Sequence, residues 1–274
     1  MEHQIVTFYL LCHELLKALG IREDCQIKMN NAEVMVVVLV AAAFFGSNFR
    51  MAANFLKEHR YIHNMLSESR LNRRIHAIDD DVWQALFRII AETFKSRNQG
   101  QEYITDSFPV PVCDNIRISR SKIFQGEDFR GYIASKRRYF YGIRIHMIVT
   151  ASGEPVEFMI AAGAESDITV FKQHKFDLPE GSICYGDKVY NDYEFEDILQ
   201  ESVGIILKPI RKKTSHRAEG NPAVRRAISY LRKKVETSFS RITQLFPKTI
   251  HAVSSKGFVL KVISFILVFA IQSL

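Results

Sequence analysis

The spacing of apolar residues changes once along this chain, between Lys95 and Gln101, and that change constrains the fold more than any other feature. Before it, apolar residues recur at helical spacing. Val82, Leu86, Ile89, Ile90 and Phe94 share one face of a helix introduced by Asp79 to Asp81. Phe49, Ala52, Ala53 and Leu56 do the same over 47–57, with Ser47 as the expected cap, and 33–45 reads as an apolar helix. Ser67 or Ser69 would cap a short basic helix carrying Arg70, Arg73 and Arg74. After the polar stretch SRNQGQ, β-branched and aromatic residues alternate over 103–112 and 139–150, and a turn at 151–154 leads into 155–162, which predicts an antiparallel hairpin.

Ser166 or Asp167 would then cap a short helix. A brief strand over 182–185, a helix over 192–200, a strand over 205–208, a long helix from Pro222 to Leu245 and a final apolar helix follow. Three strands and then alternating helix and strand predict an α/β fold, an α+β mixed sheet covered by helices. The expected division is a helical part over 1–98 and a sheet-bearing part over 99–274. The apolar runs 34–45 and 262–271 are shorter than the ~20 residues of a membrane span, so both read as buried core helices and no membrane partner is expected. Four scattered cysteines without a C-x-x-C pair, and no basic-then-apolar leader, suit a reduced cytoplasmic protein.

The charge is concentrated. From Lys208 to Arg241 eleven Lys or Arg face two acids, a local balance of +9 in a chain whose net charge is +7, so the remainder is slightly acidic. Such a block suits a polyanion, and Lys208, Arg211, Lys212, Lys213 and Arg217, with Arg225, Arg232 and Lys233 beyond them, are candidate phosphate contacts. The loop could equally be a solvated basic turn. Arg70, Arg73 and Arg74 would enter a major groove if 47–57 and 67–76 form a helix-turn-helix; a packed bundle with a basic face fits the same pattern.

Three acids stand where surface charge does not account for them. Asp106 interrupts the strand YITDSFPV, where a carboxylate is disfavoured unless something compensates it. Asp187 follows ICYG at the carboxyl end of a short strand, and Glu236 sits mid-helix among Arg232, Lys233 and Lys234. Singly, each has a plain reading as a turn or solvated acid. Together they suit Mg²⁺ or Mn²⁺, two ions about 4 Å apart serving phosphodiester chemistry. His146 reads as a core or surface histidine, and Asp167 as a helix cap.

The motifs D106-S-F-P, Y185-G-D187-K-V-Y and R232-K-K-V-E236-T-S-F, with 81 and 49 residues between the acids, resemble the DDE transposases of bacterial insertion sequences, most nearly the insertion-sequence 982 group. The resemblance covers roughly residues 100 to 250. It implies a ribonuclease-H-like catalytic domain behind a helical, DNA-end-binding one, with Asp106, Asp187 and Glu236 as catalytic metal ligands. It also implies double-stranded DNA as partner, and a homodimer when two ends are held. Arg232 matches an Arg found before the Glu in a related group, but Tyr230 and Thr243 do not reproduce that group's Tyr and Lys, and Val189 stands where many relatives have Gly. The expected activity is DNA cleavage and strand transfer. The alternatives are a nuclease of the same fold without strand transfer and a non-catalytic DNA-binding remnant.

Overall fold

The computed structural model describes all residues except 114, 134–136, 213–214 and 218–220, and the side chains of 115–116, 223–225, 227, 229 and 232 also lie outside the description. The chain forms two compact units, Met1–Ile90 with Ile242–Leu274, and Ala91–Arg241. The expected division at 98/99 differs from this grouping in one main respect: the C-terminal segment joins the helical unit.

The helical unit contains α1 (Glu2–Ala18), α2 (Asn31–Phe44), α3 (Phe49–Glu58), α4 (Glu68–Ala77), the start of α5 (Asp80–Arg97) and α9 (Ser255–Gln272). α2 is apolar on all sides, so it must be covered on all sides. Its residues from Val34 to Ala42 are buried, with α1, α3, α4 and α9 packed around it. A capping box starts it, in which Asn30 accepts from the Glu33 amide and Glu33 accepts from the Asn30 amide. α9 is long and apolar enough by length and composition to cross a membrane. Here it packs on α2, and its run from Val262 to Ile271 is buried, as expected of a core helix.

One expected cap is displaced. Asn48, not Ser47, caps α3, its side chain accepting from the Met51 amide, while Ser47 takes a left-handed φ of 64° that closes the bend after α2. Ser67 occupies the N-cap of α4 without a side-chain bond.

The second unit is built on a six-stranded mixed sheet: β1 (Glu102–Cys113), β2 (Arg130–Ile133), β3 (Arg138–Thr150), β4 (Pro155–Ala162), β5 (Ile183–Gly186) and β6 (Ile206–Pro209). The order is β2-β3-β1-β5-β6, with β4 also pairing β3. β3 is long enough to pair β2 through its first residues and β4 through the rest, both antiparallel, while β1 to β5 and β5 to β6 are parallel. Among the described residues, α6 (Asp167–Gln173), α7 (Tyr193–Val203) and α8 (Pro222–Leu245) accompany the sheet, with the end of α5. This is the expected mixed α/β arrangement. β2 is an element that the sequence pattern did not show.

Within the helical unit Phe265 is fully buried on α9, its ring 4.8 Å from that of Phe246. Phe265→Ala is predicted to lower unfolding stability by about 3–5 kcal/mol, and Asn30→Ala by about 1 kcal/mol, in urea titrations of the full chain.

Candidate active site

β1 is the strand from which the site is built, because it pairs on both sides. Against β3 it is antiparallel, with Asp106 opposite Met147; against β5 it is parallel, with Ile104 opposite Tyr185. Asp106 stands two residues beyond Ile104 within β1, and Asp187 two residues beyond Tyr185, immediately after β5 ends; neighbouring strands lie ~4.8 Å apart. By alternation both stand on the sheet face of Ile104 and Tyr185. Both are half-buried. Asp106 accepts from the Ser107 amide at 2.8 Å, and Asp187 from the Lys188 amide at 2.6 Å, where it starts the short 3₁₀ turn Lys188–Tyr190.

That turn explains the glycine before Asp187. A Cβ at Gly186 would lie 2.9 Å from the Tyr190 ring and 3.3 Å from the Thr105 methyl, so only hydrogen fits between strand and ring. Tyr190 is buried and stacks edge-on to Phe171 of α6 at 5.1 Å. Burial first, then the negative charges of Asp167 and Asp106, holds its phenol well above the usual value.

Glu236 is exposed on α8. The helix is fixed by Phe239, whose ring lies 4.8 Å from that of Phe108, by buried Val235, and by Ser238, whose hydroxyl donates to the Gly153 carbonyl at 2.9 Å. Phe108 is two residues beyond Asp106, so α8 covers the same face of β1 that carries Asp106. The three acids thus share one side of the sheet. Among the described residues, however, no group of three or more His, Cys, Asp or Glu is close enough to hold a metal ion. The adjacent pair Asp106 and Asp187 still fits a hard divalent cation, since Mg²⁺ is commonly held by one or two carboxylates, with water and substrate phosphate completing its shell.

The opposite face holds a polar group that sequence reasoning missed. The Ser107 hydroxyl donates to Asp167 at 2.8 Å, and Arg144 donates to Ser107 at 3.3 Å and lies 3.8 Å from Asp167. Ser166, not Asp167, caps α6, its hydroxyl accepting from the Thr169 amide. His146, fully buried, lies opposite Ser107 with Nδ1 3.6 Å from Asp167. Burial, helped by Arg144 and opposed by Asp167, pushes its imidazole down from 6.5 to about 4. It is therefore a core histidine, neutral at pH 7.

The basic residues divide into two sets. Lys208, Lys212 and Lys233 are exposed. Arg211 pairs with buried Glu196, and Arg217 makes two 2.8 Å bonds to Asp197. Their guanidiniums lie 4.9 and 5.0 Å from the Tyr193 ring, so both are already engaged within the unit. Lys213 and the side chains of Arg225 and Arg232 lie outside the described residues. In the helical unit Arg70 and Arg73 are exposed, whereas Arg74 donates to Asn31 at 2.8 Å.

A mixed sheet with its long helix over the acid-bearing face and shorter helices accompanying it defines a ribonuclease-H-like nucleic-acid-processing domain. The family model described as a transposase DDE domain matches residues 95–248, more than half of the sequence, and the chain belongs to that family. DNA is the substrate class such a domain implies. Comparison with curated proteins and with solved structures gives no match.

Two predictions follow from the packing. Gly186→Ala must displace the Tyr190 ring, and should destabilise the unit by about 1–3 kcal/mol as read by chemical denaturation. Unfolding lets His146 take up a proton at a higher pH than the folded state allows. Its contribution is therefore intact above pH 6.5 and lost as pH falls from there through about 4. The loss approaches about 3 kcal/mol, and His146→Met should flatten the stability profile between pH 7 and pH 4.5 relative to wild type.

Proposed function

We propose that this chain is an insertion-sequence transposase of the bacterial 982 type. It cuts the ends of its element to expose 3′ hydroxyls and directs those hydroxyls at target DNA. The observation that supports this reading is the parallel pairing of Ile104 with Tyr185, two residues before Asp106 and Asp187, on the β1 face that packs against the helix of Glu236. Asp106 and Asp187 would hold Mg²⁺ or Mn²⁺, two ions when substrate is present, and Glu236 would complete the ligand set. When bound, such ions activate the attacking oxygen and stabilise the leaving one.

The chain's own residues do the rest. The Ser107 and Lys188 amides orient one oxygen of each Asp. Lys208, Lys212 and Lys233 contact phosphates, together with Lys213, Arg225 and Arg232. Arg211 and Arg217 shape the loop by holding Glu196, Asp197 and Tyr193, and reach DNA only by exchanging those partners. Arg70 and Arg73 of α4, with Arg74 fixed beside them, serve recognition of the element ends from the helical part. Two ends are handled together, so the chain acts as a homodimer on DNA. It works in the bacterial cytoplasm.

One observation favours a second reading, a DNA-binding remnant without catalysis: among the described residues no three-ligand metal group is assembled. Cleavage and joining of DNA carrying the element ends, with Mg²⁺ or Mn²⁺, separates the two. Wild type should cut and join. Asp187→Ala and Glu236→Gln should each lose more than the roughly 100-fold that removing an outer-shell partner costs a metal site, with duplex binding retained. Cutting without joining would identify a plain nuclease. Full activity in Asp187→Ala would overturn the assignment, and binding without cutting in wild type would establish the remnant.

A further inference from the structure

The β2–β3 hairpin carries an aromatic and cationic surface that the proposed chemistry does not use. Tyr132 and Tyr139 are direct cross-strand partners, 47% and 53% exposed, with ring centroids 5.0 Å apart. Arg130 lies over the Tyr139 ring at 5.3 Å, and Arg137, immediately before β3, is exposed. Glu127, 3.7 Å from Arg130, is the acid that faces this group.

The backbone beneath is held firmly. A Cβ at Gly131 would lie 2.1 Å from the Gly163 carbonyl and 2.4 Å from the Phe140 ring, so strand and loop meet in direct contact there. Arg144 donates to the Tyr132 carbonyl at 3.2 Å and lies over the Phe140 ring at 5.6 Å. The hairpin thus presents two tyrosines from a fixed base, each with half its surface in water.

We propose that Tyr132 and Tyr139, with Arg130 and Arg137, stack unpaired bases of the DNA on which the second unit acts. This rests on the reading of the chain as a DNA-processing enzyme. Duplex DNA needs only cations along its phosphates, because its base faces are consumed in the stack. Solvent-exposed aromatic rings match bases that have left the stack, and the neighbouring guanidinium matches the phosphates linking them. Alternation along β3 puts Tyr139 on the face of Met147, the partner of Asp106. Eight residues of strand separate those two positions, ~27 Å at ~3.4 Å per residue. The unpaired bases would therefore lie about eight nucleotides from the scissile phosphate, taking ~3.4 Å per step of one strand.

The test compares fluorescence-anisotropy titrations of the full chain with three probes: a 30-mer duplex, the same duplex with a six-thymidine single-stranded extension, and oligothymidine alone. Wild type should prefer the extended duplex. Tyr132→Ala and Tyr139→Ala should each weaken binding of the extended duplex and of oligothymidine by about 10-fold, leaving the plain duplex unchanged. Tyr139→Trp should retain the preference, which a merely structural role for the ring would not require. Equal affinity for all variants on the extended probe would overturn the platform while leaving DNA processing intact. A self-association lost in the alanine variants, with DNA affinity unchanged, would assign the patch to a second copy of the chain and overturn the proposal. Failure of wild type to bind any probe would remove the DNA reading itself.

Discussion

Side chains on a strand alternate between faces, so the register in which β1 pairs with β5 decides whether Asp106 and Asp187 stand together or on opposite sides of the sheet. A slip of one residue would carry Asp106 to the α6 face and bring Ser107 beside Asp187. The register is held from both sides. Hydrophobic Ile104 and Phe108 face α8 while Thr105 and Ser107 face α6, and the antiparallel ladder with β3 runs unbroken from Tyr103 to Pro111. The site therefore depends on the pairing of its strands more than on any single contact made by a carboxylate.

The two faces of β1 answer different demands. On the α8 face Asp106 stands half-buried within β1, and Asp187 half-buried at the carboxyl end of β5. On the α6 face the polar residues look inward. Ser107 bonds both Arg144 and Asp167, and His146 is carried neutral in the core beside them. Ser107 belongs to both arrangements, because its amide donates to Asp106 and its hydroxyl to Asp167. A single residue thus links the orientation of a candidate ligand to the start of α6.

Much of this was legible in the sequence. Asp106 in an apolar strand, Asp187 after a short one and Glu236 on a basic helix announced themselves by local context, and the long strands and α8 carry unambiguous periodicity. What escaped was set by distance or brevity. β2 is four residues, RGYI, too short to show an alternation, so the tyrosine pair it forms with β3 could not be anticipated. The Ser107, Arg144, His146 and Asp167 group joins residues up to 60 apart through strand register and the position of α6. Ser47 and Asn48 are both capping residue types, and the backbone bend after α2 chose between them. Arg211 and Arg217 read from charge density as candidate phosphate contacts, and the acids that engage them lie on α7, 15 to 21 residues earlier.

The apolar surround of α2 is assembled from residues 1–90 and 242–274, with the whole of the other unit lying between them in the chain. On the ribosome, α2 emerges long before the helix that covers its last side. At about 5–20 residues per second the intervening stretch takes on the order of ten to thirty seconds to be made. Throughout that interval the sheet unit can complete itself while α2 stays partly uncovered. The nascent helical part thus depends on chaperones or on loose local collapse, and a premature stop late in translation would spoil the beginning of the protein before its middle.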